Sequence, residues 1–197
     1  MSASVPSHTP RVLPFAYPLD EFYAQAGLTL PRIEAVSGET LPEPYRSLLV
    51  HERDMTPTLE QFHGAHIHIR ALRREERGDF YFREVVLVLD RDEKPVEFGA
   101  IKISLPLFPP AARRLILEER EPLGSILKTC GVAHTSRPKA FLRVESDAFI
   151  NSALQLTGQH TLFGRRNTLA DASGRPLAEI VEILPPCLQP PTVKSIA

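Results

Sequence analysis

The sequence predicts an α+β fold: a single, mostly antiparallel sheet of about six strands with helices packed around it. Three observations lead there. Phe80–Asp90 and Leu177–Leu184 are near-continuous runs of aromatic and aliphatic residues with no Gly or Pro, as strands covered on both faces require. Strand-like runs follow one another through short turns, which is the habit of antiparallel neighbours. Helical patterns precede and interrupt these runs and do not alternate with them strand by strand.

In order along the chain, Asp20–Ala26 reads as a short helix capped by Asp20, and Pro42–Val50 as another. Thr56-Pro57-Thr58-Leu59-Glu60 carries a capping residue and a proline at a first helical position, so a helix starts there and ends at Gly64, with Met55 at its entrance. Ala65–Leu72 alternates, with Ile67 and Ile69 on one face and His66, His68 and Arg70 on the other. Phe80–Asp90 is a central strand, and the turn at Arg91–Pro95 leads into its neighbour, Val96–Ser104. Pro109–Arg120 and Leu123–Thr129 are helical, the second ending at Gly131. Strands resume at Ala140–Glu145, Thr161–Ala170 and Leu177–Leu184, the last two joined by the turn at Asp171–Pro176. One domain over residues 19–187 is expected, with a lead-in at 1–18 and a proline-rich tail at 188–197.

Length and charge narrow the function classes. A chain of 197 residues holds one sizeable core, and a net charge of -1 argues against a partner bound through its phosphates, so no nucleic-acid partner is expected. Cys130 and Cys187 lack disulfide or metal-site spacing and read as free thiols of a cytoplasmic protein. No apolar run is long enough to span a membrane, and a monomer or small homo-oligomer is expected.

The residue that stands out is Arg83. Alternation puts it on the same face as Val85, Leu87 and Leu89, while Glu84 joins Phe82, Val86 and Val88. A guanidinium among such residues needs a partner, either a structural carboxylate or the carboxylate of a ligand. Glu182 occupies a similar place in the last strand, with Ala178, Ile180 and Leu184. The two either pair with each other or converge on one ligand. His63, His66 and His68 raise a metal hypothesis, but no second ligand cluster matches them, so no metal site is expected. Gly164-Arg165-Arg166 reads as a solvated or ion-paired strand face. Phosphate-binding glycine loops and a serine-hydrolase elbow are absent.

Five segments occur in a telling order: Asp54-Met55-Thr56 before a short helix, Phe82-Arg83-Glu84-Val85-Val86-Leu87, Pro122-Leu123-Gly124, Leu162-Phe163-Gly164-Arg165-Arg166, and Glu182-Ile183-Leu184-Pro185. Together they resemble the chorismate lyase (chorismate pyruvate-lyase) family. The resemblance implies a carbon–oxygen lyase that converts chorismate to 4-hydroxybenzoate and pyruvate without cofactor or metal, in ubiquinone or other aromatic-compound biosynthesis. By the same resemblance, Arg83 and the backbone N–H groups of Met55 and Leu123 hold the ring carboxylate. Glu182 lies at the ring hydroxyl as a general acid, a general base or an orienting group. Family members often carry an arginine directly after the glycine of the third strand. Here that position is Ala100, and Lys102 on the same face is the candidate to supply the charge.

Two other readings accompany this one. The chain is alternatively a non-catalytic binding module for an aromatic carboxylic acid on the same fold, or a lyase for a related enolpyruvyl cyclohexadiene acid. Turnover of chorismate separates the first reading from the second.

Overall fold

The computed structural model describes residues 14–186. Its centre is one antiparallel sheet of seven strands in the order β1-β5-β6-β7-β4-β3-β2. The strands are β1 (Ile33–Val36), β2 (Ile67–Arg77), β3 (Phe80–Leu89), β4 (Pro95–Ser104), β5 (Thr135–Glu145), β6 (Thr161–Ala170) and β7 (Pro176–Leu184). The helices are α1 (Leu19–Gln25), α2 (Tyr45–Leu49), α3 (Met55–His63), α4 (Pro110–Glu118), α5 (Leu123–Thr129) and α6 (Ala148–Leu154). The α+β class and the single antiparallel sheet are as the sequence predicts. The expected tail over 188–197, and residues 1–13 of the expected lead-in, lie outside the described residues. Ala16 and Tyr17, from the remainder of that lead-in, are buried in the domain.

Two elements have no counterpart in the expectation, and β2 runs on to Arg77, past the expected end at Leu72. β1 is a four-residue, half-exposed edge strand paired only with β5, so it carries little of the apolar alternation that marks a strand. α6 falls between the strands expected at Ala140–Glu145 and Thr161–Ala170; Asp147 caps it by accepting a hydrogen bond from the Ile150 N–H at 2.8 Å. β5 also begins earlier than expected, at Thr135, because Pro138 sits beside a register shift rather than ending the strand.

Register divides the side chains between two faces. Arg83, Val85 and Leu87 of β3 stand opposite Ile101, Gly99 and Glu97 of β4. Gly99 and Ile101 in turn stand opposite Glu182 and Ile180 of β7, and those oppose Arg165 and Asn167 of β6. Helices α2 and α3 cover one part of this front face with Leu48, Leu49, Met55 and Leu59. Helices α4 and α5 cover the rest with Ile116, Leu123, Ile126 and Leu127. The back face carries Phe82, Val86, Phe98, Ala100 and Val181, against Leu19 and Phe22 of α1 and Ile150 and Leu154 of α6. Gly164 lets β6 and β7 run close together: a methyl there would press on the carbonyl of Glu182 and sit 3.2 Å from the Ile183 Cα.

The back face also holds a charged group with too few partners. Glu84 is fully buried, and neither carboxylate oxygen has a hydrogen bond, although the Arg73 Nε lies 3.4 Å from Oε2. Burial pushes its pKa up to about 7, against the opposing pull of Arg73. An acid whose folded pKa is raised contributes its full stability below the unfolded value and loses it as pH rises through the folded value. Unfolding in urea between pH 4.5 and 8 checks this. The wild type is expected to lose stability from about pH 4.5 to about pH 7. Glu84→Gln is expected to lose less stability than the wild type across that window and to be more stable at pH 8 by about 1–3 kcal/mol.

Candidate functional site

The front face does not pack solidly against its helices. Between them lies a pocket of about 550 Å³, a volume that includes the solvent at its open mouth. That is room for a small ring or several waters, and not for a polymer or a large cofactor. Most of its wall is apolar, from Met55, Ile69, Val85, Leu87, Ile101, Leu123, Leu169 and Ile180. The polar side chains of the wall are those of Arg83, Glu97, Glu182 and Asn167 on the sheet and of Asp54 and Thr56 at the start of α3.

Arg83 is only 1% exposed. Its Nη1 donates a long 3.4 Å hydrogen bond to the carbonyl of Ile116, and its buried Nε has no partner. No carboxylate among the described residues comes within ion-pair distance of it. Glu119 is nearby but engaged, accepting from the Tyr81 hydroxyl and from Arg74 at 2.6 Å. Burial lowers the Arg83 pKa, with Tyr81 and Glu119 pulling the other way. A guanidinium remains charged even so, and it lines a cavity with no anion of the protein against it.

The other charged end is arranged differently. Glu182 does not pair with Arg83; its Oε2 accepts from the Arg165 Nε at 2.5 Å. Arg165 is wholly buried, and its other nitrogens donate to the carbonyls of Leu49, His51 and Arg53 at 3.3, 3.0 and 3.1 Å. It therefore ties the loop between α2 and α3 to the sheet and sets where Asp54 and Met55 stand. Glu97, two residues before Gly99 on the same face, is 5% exposed, and its Oε2 has no hydrogen bond. Burial and the neighbouring Glu182 raise the Glu97 pKa well above its ordinary value, against the pull of Arg165.

Asp54 precedes α3 without capping it by a side-chain hydrogen bond. Its carboxylate instead meets the His134 Nε2 at 3.0 Å, and the His134 Nδ1 meets the carbonyl of Val132 at 2.9 Å. Burial opposes protonation of His134, but Val132 and Asp54 outweigh it and raise its pKa. The pair joins the approach to β5 to the start of α3 beside the cavity.

Arg83, Glu182, Met55 and Leu123, singled out from the sequence, all line this one cavity, with Met55 and Leu123 as the first residues of α3 and α5. Lys102 does not. Alternation along β4 carries it, with Ala100, to the back face, where its Nζ sits 3.8 Å from the centre of the Phe80 ring. It supplies no charge to the cavity, and an arginine in place of Ala100 would start from that same back face. Glu97 and Arg165 were missed as members of the site. Glu97 sits in a strand that begins just after a turn, where a glutamate reads as surface. Arg165 was read only as a solvated or ion-paired strand face. The histidines lie elsewhere: His68 meets Asp90 at 2.6 Å on edge strand β2, and His66 is 3.4 Å from Glu60. Among the described residues no group of His, Cys, Asp or Glu is arranged to hold a metal, and no helix is long and apolar enough to cross a membrane.

No protein-family model and no curated protein matches the chain. Solved structures do. The effector domain of PhnF from Mycobacterium smegmatis matches at 13% identity over 67% of this chain and 88% of that one, with a TM-score of 0.51. PhnF itself, from the same organism, matches at 12% identity over 84% and 92%, with a TM-score of 0.52. A GntR-family transcriptional regulator from Bacillus cereus matches at 15% identity over 61% and 92%, with a lower TM-score of 0.43. The likeness is one of fold. It corrects the lyase expectation, since the fold-mate at a TM-score of 0.51 is an effector domain and not a carbon–oxygen lyase. Chorismate as substrate, 4-hydroxybenzoate and pyruvate as products, and a place in ubiquinone biosynthesis go with it. So does the expectation of a substrate-handling protein with no link to nucleic acid. Glu182, expected at the ring hydroxyl as a general acid, a general base or an orienting group, is instead paired with a buried arginine.

Proposed function

We propose that this chain is a non-catalytic binding module for a small molecule with an anionic group, held by Arg83 in the front-face cavity. The observation that carries the proposal is a buried guanidinium, lining a cavity, with no carboxylate of its own. A planar anion such as a carboxylate accepts two parallel hydrogen bonds from a guanidinium and removes the cost of leaving it unpaired. The start of α3 lines the same cavity and adds N–H groups that no side chain caps. The apolar wall excludes water and strengthens the attraction. Occurrence of the fold in an effector domain supports a regulatory use, in which occupancy of the cavity is passed to a DNA-binding companion. Such a use belongs in the cytoplasm.

Thermal unfolding with a panel of small carboxylic acids tests this. At least one is expected to raise the melting temperature with saturable dependence on its concentration. Gly99 supplies a control, since its missing side chain faces the cavity with Glu97 Oε1 and Val85 Cγ2 3.4 and 3.5 Å from where a Cβ would sit. Gly99→Leu is expected to fill the space and abolish the shift, with the unliganded protein still folded. A shift that survives in Gly99→Leu places binding elsewhere.

A further inference from the structure

We infer that the ligand of this cavity is a dipolar ion, with its anionic group at Arg83 and a protonated amine at Glu97 and Glu182. The inference rests on the anion-binding reading above and adds the second end of the ligand. It follows from how the charges are distributed along one wall. Arg83 is a buried cation without a carboxylate. At the other end two carboxyl groups share one arginine, and Arg165 spends its donors on Glu182 and on the carbonyls of Leu49, His51 and Arg53. The buried Oε2 of Glu97 is left with no donor. One end of the cavity therefore lacks a negative charge, and the other sets two carboxyl groups against one cation, so that one of them carries a proton and a buried oxygen has no donor.

An uncharged apolar ligand would leave both deficits in place. A simple anion would correct only the first. An ammonium supplies three donors and one positive charge, and both carboxyl groups can then be ionised acceptors. Glu97 would give up its proton to solvent when the amine arrives. Glu182 on β7 stands opposite Gly99 and Arg83 on β3 opposite Ile101, so their Cα atoms lie two residues along and two strands across, about 12 Å apart. Both side chains line the cavity from those positions, and a single ring with one group at each end bridges the remainder.

Titration calorimetry of the full chain with three acids of one shape tests this. They are 4-(aminomethyl)benzoate, 4-(hydroxymethyl)benzoate and 4-methylbenzoate. The amine is expected to bind at least about tenfold more tightly than either of the others. In Glu97→Gln that ratio is expected to shrink to about twofold or less. A second measurement uses wild type alone: titration in buffers of different ionisation enthalpy is expected to show a proton released with the amine and none with the alcohol. If the alcohol or the methyl compound binds as tightly as the amine, the dipolar ligand is overturned while the anion site stands. If no proton is released with the amine, the same conclusion follows even should Glu97→Gln fail to fold. If none of the three acids binds the folded protein, the dipolar ligand and the anion site are both overturned.

Discussion

Arg83→Met is expected to make the unliganded protein more stable, by about 1–4 kcal/mol, as when buried charges are replaced by apolar side chains of similar size. Most substitutions of a fully buried side chain destabilise, so the sign is diagnostic. The guanidinium is desolvated, its one hydrogen bond to the Ile116 carbonyl is long at 3.4 Å, and its Nε has no partner. Methionine fills similar volume, carries no charge and adapts to an irregular wall beside Val85 and Ile101. Little is lost and a desolvation penalty is removed. For a domain of this size the gain corresponds to a rise in melting temperature of about 2–4 °C per kcal/mol, read by calorimetry or circular dichroism. A protein keeps such a destabilising group where a ligand relieves the cost.

Arg165→Met is expected to do the reverse. It leaves Glu182 as an unpaired buried charge and strips donors from three carbonyls, that of Leu49 at the end of α2 and those of His51 and Arg53 in the loop to α3. The expected loss is about 3–5 kcal/mol, seen as a lower urea midpoint. Adding Glu182→Leu removes the orphaned charge, so the double variant is expected to lose less than the two single losses summed. The two arginines have similar burial, and their opposite signs in this experiment would separate a residue kept for a ligand from one kept for the fold.

These contrasts explain what the sequence could and could not reveal. The strands were legible because burial on both faces imposes near-continuous apolar runs, as in β3 and β7. β1 was hidden by its brevity and exposure, and α6 because seven residues leave little helical periodicity. Arg83 was visible as a charge among core residues, and Glu182 likewise. Their relationship was not, since pairing between β6 and β7 depends on a register that alternation alone does not set. Glu97 shows the limit most clearly: next to a turn it looks solvated, and only the helices packed over β4 bury it. Lys102 was assigned to the site because family likeness outweighed the alternation that puts it and Ala100 on the back face. The same motifs suggested an enzyme because a likeness in the residues around a cavity describes its shape and charge, and those serve binding and turnover alike.

The most direct test is a calorimetric titration of wild type and Arg83→Met with the same carboxylic acid, chosen as the one that most raises the wild-type melting temperature. The wild type is expected to saturate at one site per chain, and the variant to bind at least about 100-fold more weakly while remaining folded. Equal affinity in the two proteins would show that Arg83 does not hold the anion and would contradict the account.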